Sequence, residues 1–337
     1  MWQVNNITPF CALPVVLRDR EGAETLVIAV SGTFKIKDDR TVIDDVQQEV
    51  VHIPIYRGDP SASSLIRDSE AVITKPTTDV LVLGQAYAPR GRPCARLDAS
   101  IKIEAIDKTV TVWGDRCWDS GRTGVRVTDP LPFETMPIVY ERAFGGISPR
   151  DPEDPPQWDE RNPAGTGFVT RPTHVAGVRL PNVEAPERLI TSWRDRPTPA
   201  GLGPIARHWS PRRQLGGTYD ETWQTERLPL PPSDFDDRFY QSAPSDQQAP
   251  SYLRGGERVE LVNLSASGRL RFTLPRVHLV FYTRIGNEVH DHRAQLYTVV
   301  IEPDQLRITM GWQTSLRCHN QATMIRRINI REKPVIG

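Results

Sequence analysis

From Thr25 to Lys37 the chain reads T-L-V-I-A-V-S-G-T-F-K-I-K, an apolar run that passes into alternation. This pattern predicts a strand buried on both faces over its first half and on one face over its second. Comparable runs, rich in β-branched and aromatic residues and bounded by turn residues, recur at Val80–Ala86, Ala99–Ile106, Val110–Trp113, Val259–Leu264, Leu270–Leu274, Val277–Thr283, Gln295–Ile301 and Leu306–Trp312. Glu302-Pro303-Asp304-Gln305 joins the last two as a tight turn, with proline where its fixed φ suits it. Helix signals are few: only Ser315–Arg331 approaches a long Gly- and Pro-free window with an apolar stripe, and it reads equally as a strand. The expected fold is mainly β, an antiparallel two-sheet sandwich or distorted barrel with long ordered loops. A single domain over residues 1–337 is expected, with an amino-terminal β region at 1–137, a loop region at 138–250 and a carboxy-terminal β-meander at 251–337.

Between Tyr140 and Glu257 neither period holds. The chain runs instead through Y-E-R-A-F-G-G (Tyr140 to Gly146), N-P-A-G-T-G-F (Asn162 to Phe168), H-W-S-P-R-R (His208 to Arg213), G-T-Y-D-E-T-W (Gly217 to Trp223) and L-P-P-S-D-F-D (Leu230 to Asp236). More than half of the thirty prolines fall here, with half of the eight tryptophans. Disordered linkers lack such aromatics, so the segment reads as long ordered loops whose path is fixed by ring constraint and glycine turns. Ordered loops of this length usually form a lid, a clamp or a binding surface.

Forty-two basic residues balance forty-two acidic ones, which removes any global field toward nucleic acid or an anionic membrane. Cys11, Cys94, Cys117 and Cys318 form no C-x-x-C pair, and reduced thiols are expected. No basic-then-apolar leader opens the chain and no stretch nears the ~18 apolar residues of a membrane helix, so a cytoplasmic location is expected.

Candidate chemistry is thin. His290-Asp291-His292 would place two imidazoles on one face of a strand, but His278 would lie too far along the hairpin to supply a third ligand, so no metal is expected. Cys318-His319 are neighbours that face opposite ways on a strand. Ser31-Gly32-Thr33 and Gly216-Gly217-Thr218 lack the lysine and the strand-to-helix context of a phosphate loop, so no cofactor is expected. Carboxylates crowd the loop region at Asp115, Glu141, Glu184, Asp220, Glu221, Asp234, Asp236 and Glu257. Two of them held about 5 to 9.5 Å apart in an open groove would suit a glycoside hydrolase. Pairing with arginines such as Arg116, Arg142, Arg213 and Arg254 is the favoured alternative, because loops without ladders need side-chain partners.

The order and spacing of the motifs resemble a bacterial family, domain of unknown function 2169, encoded beside type VI secretion genes. The resemblance spans nearly the whole chain. It begins at N-I-T-P-F (Asn6 to Phe10) and S-G-T-F (Ser31 to Phe34), then takes in K-P-T-T-D-V-L-V-L-G-Q-A-Y-A-P (Lys75 to Pro89) and V-W-G-D-R-C-W (Val112 to Trp118). It continues through P-F-E-T-M-P-I-V-Y-E-R-A-F-G-G (Pro132 to Gly146), P-A-G-L-G-P-I (Pro199 to Ile205) and Y-L-R-G-G-E (Tyr252 to Glu257). The resemblance implies a non-enzymatic adaptor or chaperone that brings an effector protein to the secreted spike of VgrG and PAAR proteins. A chain ending at Gly337 without an appended toxin suits a free-standing adaptor. A hydrolase of carbohydrate or peptidoglycan and a structural spike component are the alternatives. Aromatic and arginine side chains dominate interface hot spots, which makes Trp193, Trp209, Arg212, Arg213, Trp223, Phe235 and Phe239 the expected contacts with the partner.

Overall fold

The structure is a computed structural model that describes residues 2–121 and 124–333. The strands of its main sheets are, in chain order, β1 (Gln3–Asn6), β2 (Cys11–Arg18), β3 (Glu24–Lys37), β4 (Arg40–Ile43) and β5 (Asp79–Val82). There follow β6 (Arg96–Ile103), β7 (Ile106–Trp113), β8 (Val183–Glu184), β9 (Arg258–Val262) and β10 (Arg269–Thr273). The last five are β11 (Leu279–Ile285), β12 (Glu288–Arg293), β13 (Gln295–Glu302), β14 (Arg307–Arg317) and β15 (Ile325–Glu332).

The fold is mainly β. The first sheet has the order β2-β3-β14-β13-β5, with β4 added beside β3; the second is β8-β7-β6-β9-β10; the third is β1-β15-β11-β12. Among the described residues no sheet closes into a barrel, and the stacked sheets fit a sandwich. Each sheet joins strands from both halves of the chain: β3 pairs with β14, β6 with β9 and β1 with β15.

One apolar cluster runs through all three sheets, with Leu26, Ile28 and Phe34 of β3, Ile101 and Ile103 of β6, Leu261 of β9, Phe281 of β11, and Ile328 and Ile330 of β15. Each such side chain contributes about 1.5 to 3 kcal/mol on burial. Strand β3 is buried continuously from Thr25 to Phe34 and alternates only at its end, as its sequence predicts. At Gly32 an added Cβ would lie 2.9 Å from the rings of both Phe10 and Trp312, so only glycine admits that aromatic pair.

The structure refines several expectations. Two strand pairs, β1 with β15 and β5 with β13, are parallel. The run at Val80–Ala86 breaks into β5 and a separate strand at Gln85–Tyr87. Ser315–Arg331 holds the end of β14 and most of β15, separated by left-handed His319 and Asn320 and a 3-10 turn at Ala322–Met324.

From 138 to 250 the chain forms two-residue strands, 3-10 turns and one six-residue helix, Glu221–Glu226, capped by Asp220. Small apolar clusters anchor it, one of them Trp118, Phe144, Val169, Val175, Leu180 and Ile190. Buried amides replace the missing ladders. Asn162 donates to the carbonyls of Tyr140 (2.7 Å) and Phe144 (3.0 Å), and Gln247 to those of Val80 (2.8 Å) and Leu202 (2.9 Å).

Candidate functional site

A two-residue turn joins β6 to β7, with Ile103 opposite Ile106. In antiparallel pairing the alternate residues Ile106, Lys108 and Val110 then bond to β6, while Asp107, Thr109, Thr111 and Trp113 turn their backbone groups to the other edge. Strand β8 meets that edge only at Thr111 and Val112, and Asn182 accepts from the Trp113 N–H at 2.8 Å. Carried two residues further, the register would set Pro186 against Thr109, and proline has no N–H to donate. The chain instead turns away at Ala185, whose carbonyl accepts from Arg188 N–H at 3.0 Å.

Where β8 leaves, a cleft of about 440 Å³ opens between the uncovered edge of β7 and the long loops. Val110, Ala185, Pro199, Ala200, Ile205 and Leu215 give it a largely apolar lining. Lys108 stands at its floor on the core-facing side of β7, 2.8 Å from Asp246 on the facing loop. Burial pushes the Lys108 ammonium below its ordinary pKa, and Asp246 opposes this. The buried Tyr140 hydroxyl, also at the cleft, is pushed up by desolvation.

Arg212 braces the back wall. Its Nε donates to the Phe239 carbonyl (2.8 Å), its Nη1 to that of Ile205 (2.7 Å), and its Nη2 pairs with Asp68. Burial would raise the Asp68 carboxyl, but Arg212 and Arg207 outweigh it and hold the pKa below the usual carboxylate range. At Arg116 and Glu184 the balance is reversed: burial outweighs the arginine, and the glutamate is raised.

A larger groove, about 750 Å³, lies over β6, β9 and β10, with a mostly charged lining in which Arg271 pairs with Glu260 (3.0 Å) and Lys102 with neighbouring Asp107 (2.7 Å). The cleft beside β7 is therefore the better ligand site, since apolar walls with a few fixed polar groups favour binding.

Residues 21–313 match the sequence model of a family described as an uncharacterized protein conserved in bacteria, DUF2169. The chain belongs to this family. No curated protein and no solved structure matches it. Among the described residues, no helix is long and apolar enough to cross a membrane.

The expected contact residues of this DUF2169 chain are dispersed. Trp209 is 1% exposed and packs edge-on against Tyr140, with ring centroids 5.6 Å apart. Truncating it would cost ~3 to 5 kcal/mol of fold stability, which makes it a poor probe of binding. Arg212 and Phe235 are also buried, and Phe235 packs against half-buried Phe239 at 5.4 Å. Of the seven, only Arg212 lines the cleft directly. Trp193 is half-buried against the cluster of Trp118 and Phe144, and Trp223 donates its indole N–H to the Leu230 carbonyl at 2.8 Å. Arg213 is exposed and pairs with Glu160 at 3.2 Å. Lys108, Thr109, Ala185 and Asp246 escape a search for aromatic and arginine anchors; the available signal was Pro186, two residues after Glu184.

Most loop carboxylates are engaged. Glu141 accepts from the N–H (2.8 Å) and the hydroxyl of Ser64, Asp234 from Thr218 N–H (2.9 Å), Asp220 from Trp223 N–H (2.8 Å) and Glu257 from Arg254 N–H (2.7 Å). Asp236 pairs with Arg238 at 2.6 Å, and Asp115 accepts from Asn182 at 3.0 Å. Among the described residues, no three His, Cys, Asp or Glu side chains gather as a metal site. His292 sits between the hydroxyls of Thr283 and Thr314, each at 2.9 Å, stacked on Phe281.

Proposed function

We propose that the protein is a non-enzymatic adaptor that binds a type VI secretion effector in the bacterial cytoplasm and helps load it onto the VgrG and PAAR spike. The observation that carries this reading is the cleft beside β7: an apolar recess with walls stiffened by Pro199, Pro211 and Pro244, which can take up a partner side chain at low ordering cost. The engagement of the loop carboxylates supports it against the hydrolase reading, because an acid or base already bound to backbone N–H groups is poorly placed to exchange protons with a substrate.

Co-expression with the products of the neighbouring effector and spike genes, followed by size-exclusion chromatography, is expected to give a stoichiometric complex. Ala185→Trp, which fills the cleft from its half-buried rim, is expected to abolish co-elution while leaving the melting temperature near wild type. Clean separation of the wild-type chain from every such partner would sink the proposal.

A further inference from the structure

The third sheet has an outer face rich in arginine and amide side chains, interspersed with Tyr282, Val289 and Asp291. In β15 the sequence I-R-R-I-N-I-R departs from strict alternation. Ile325 and Ile328 are buried while Arg326 and Arg327 are both exposed. A register shift against β11 accounts for this: Arg284 faces Arg327, and the next pair is Ile285 with Ile325, leaving Arg326 as the extra residue of a bulge. Bulges re-aim side chains, and this one sets two successive arginines on the same side.

Arg284 and Arg327 stand directly opposite each other on neighbouring strands, a like-charge pair that destabilises a sheet. Two rows further along the same face, Arg331 and Arg293 flank Val280. Asp291, opposite Tyr282, is the carboxylate that this register places on the same face. Among the described residues, none of Arg284, Arg293, Arg326, Arg327 or Arg331 has a carboxylate within 4.0 Å. Some exposed arginines elsewhere do, such as Arg126 with Asp119, Arg213 with Glu160, Arg238 with Asp236 and Arg317 with Glu21, and others, such as Arg18 and Arg57, do not; here five without one share a single sheet. The chain as a whole is neutral, so this positive excess is local. A shallow groove of about 540 Å³ runs across the face between Arg284, Arg326 and Arg327, with Tyr282 and Asn329 at its floor.

We infer that this face is a docking surface for a carboxylate-rich segment of a partner protein, distinct from the cleft and independent of what the cleft binds. The guanidinium fork matches a carboxylate with two parallel hydrogen bonds, and a partner carboxylate between Arg284 and Arg327 would turn their repulsion into two attractions. In the free chain Arg327 donates its Nε and Nη2 to Gln3 Oε1 at 3.1 and 2.9 Å, a neutral acceptor that a carboxylate would replace, and Asn5 donates to Asn329 at 3.1 Å. A nucleic-acid footprint asks for a basic chain and a row of stacking aromatics; this chain is neutral and the face carries one tyrosine.

The test uses the full chain and a fluorescein-labelled peptide of alternating Glu and Ser, with the Gln-Ser peptide and an oligothymidine as comparisons, read by anisotropy. Wild type is expected to bind the Glu peptide, to ignore the Gln peptide and to lose affinity as salt rises from about 50 to about 200 mM. Arg284→Gln with Arg327→Gln is expected to weaken binding about tenfold while the melting temperature stays level or rises, because the repulsion between them is removed. A merely structural role for these arginines would lower the melting temperature instead. Tighter binding of oligothymidine than of the Glu peptide, equal peptide binding by the double variant, or no peptide binding by wild type would each overturn the inference.

Discussion

Strand β3 and the loops that converge on the buried Arg212 side chain are held by different means. From Leu26 to Phe34 the backbone bonds to β2 or β14, and the side chains meet other apolar groups. Around Arg212 there is no ladder; one guanidinium serves the carbonyls of Ile205 and Phe239 and the carboxylate of Asp68. Losses in the sheet are graded, because each methylene removed costs its own area and cavity. Losses in the loops come in groups, because one missing donor strands several acceptors at once.

The largest expected effect follows from that contrast. Arg212→Met keeps much of the apolar stem but leaves two carbonyls unpartnered and Asp68 dependent on Arg207, and it is expected to cost about 3 to 5 kcal/mol in urea unfolding. Ile101→Val in β6 is expected to cost about 0.5 to 1.5 kcal/mol. Equal costs for the two would mean that the loops and the sheet lose stability in the same way.

His292 tests a polar group on the core-facing side of the third sheet. Burial, aided by neighbouring His290 and opposed by Asp291, lowers its pKa from 6.5 to about 4. The unfolded chain therefore takes up a proton first as pH falls, and the stability present above pH 6.5 is lost on the way down to about 4. Between about pH 7.5 and about pH 5 the expected loss is about 2 kcal/mol, read from urea midpoints, and His292→Gln is expected to flatten that dependence. The two loop carboxylates work in opposite senses further down: depressed Asp68 loses its contribution as pH falls through its folded pKa, whereas raised Glu184 loses its own as pH rises through its folded pKa. A variant with unchanged pH dependence would remove His292 from the account.

The smallest effect is expected at Arg213→Ala. Its pair with Glu160 is more than half exposed on both sides, so stability is expected to move by no more than about 1 kcal/mol, in marked contrast with its neighbour Arg212. A larger loss in the same urea experiment would mean that the loop surface is braced as tightly as its interior.

Elements whose identity lies in their own residues were legible in the sequence. The apolar run of β3 and the turn after β13 each carry their pattern locally, whereas the run read at Ala99–Ile106 crosses the turn between β6 and β7. What escaped depends on a distant partner: the parallel pairing of β5 with β13, set some 220 residues apart, and the bulge that turns Arg326 outward, which exists only against β11. The cleft escaped for the same reason, since Pro186 gains its meaning from Thr109 across the sheet. Arginine in the loops was readable as a needed donor, but not which arginine would end up inside.

The pairing of β3 with β14 bears on how the chain is made. Strand β14 begins some 270 residues after β3 ends. At roughly 5 to 20 residues per second of synthesis, a ribosome takes about 14 to 54 s to deliver it. During that interval Leu26 to Val30 has β2 on one side and nothing on the other: an apolar, uncharged strand edge of the kind that captures other chains. Yield on overexpression should then follow translation speed and temperature more closely than equilibrium stability, with the nascent amino-terminal third as the species that aggregates.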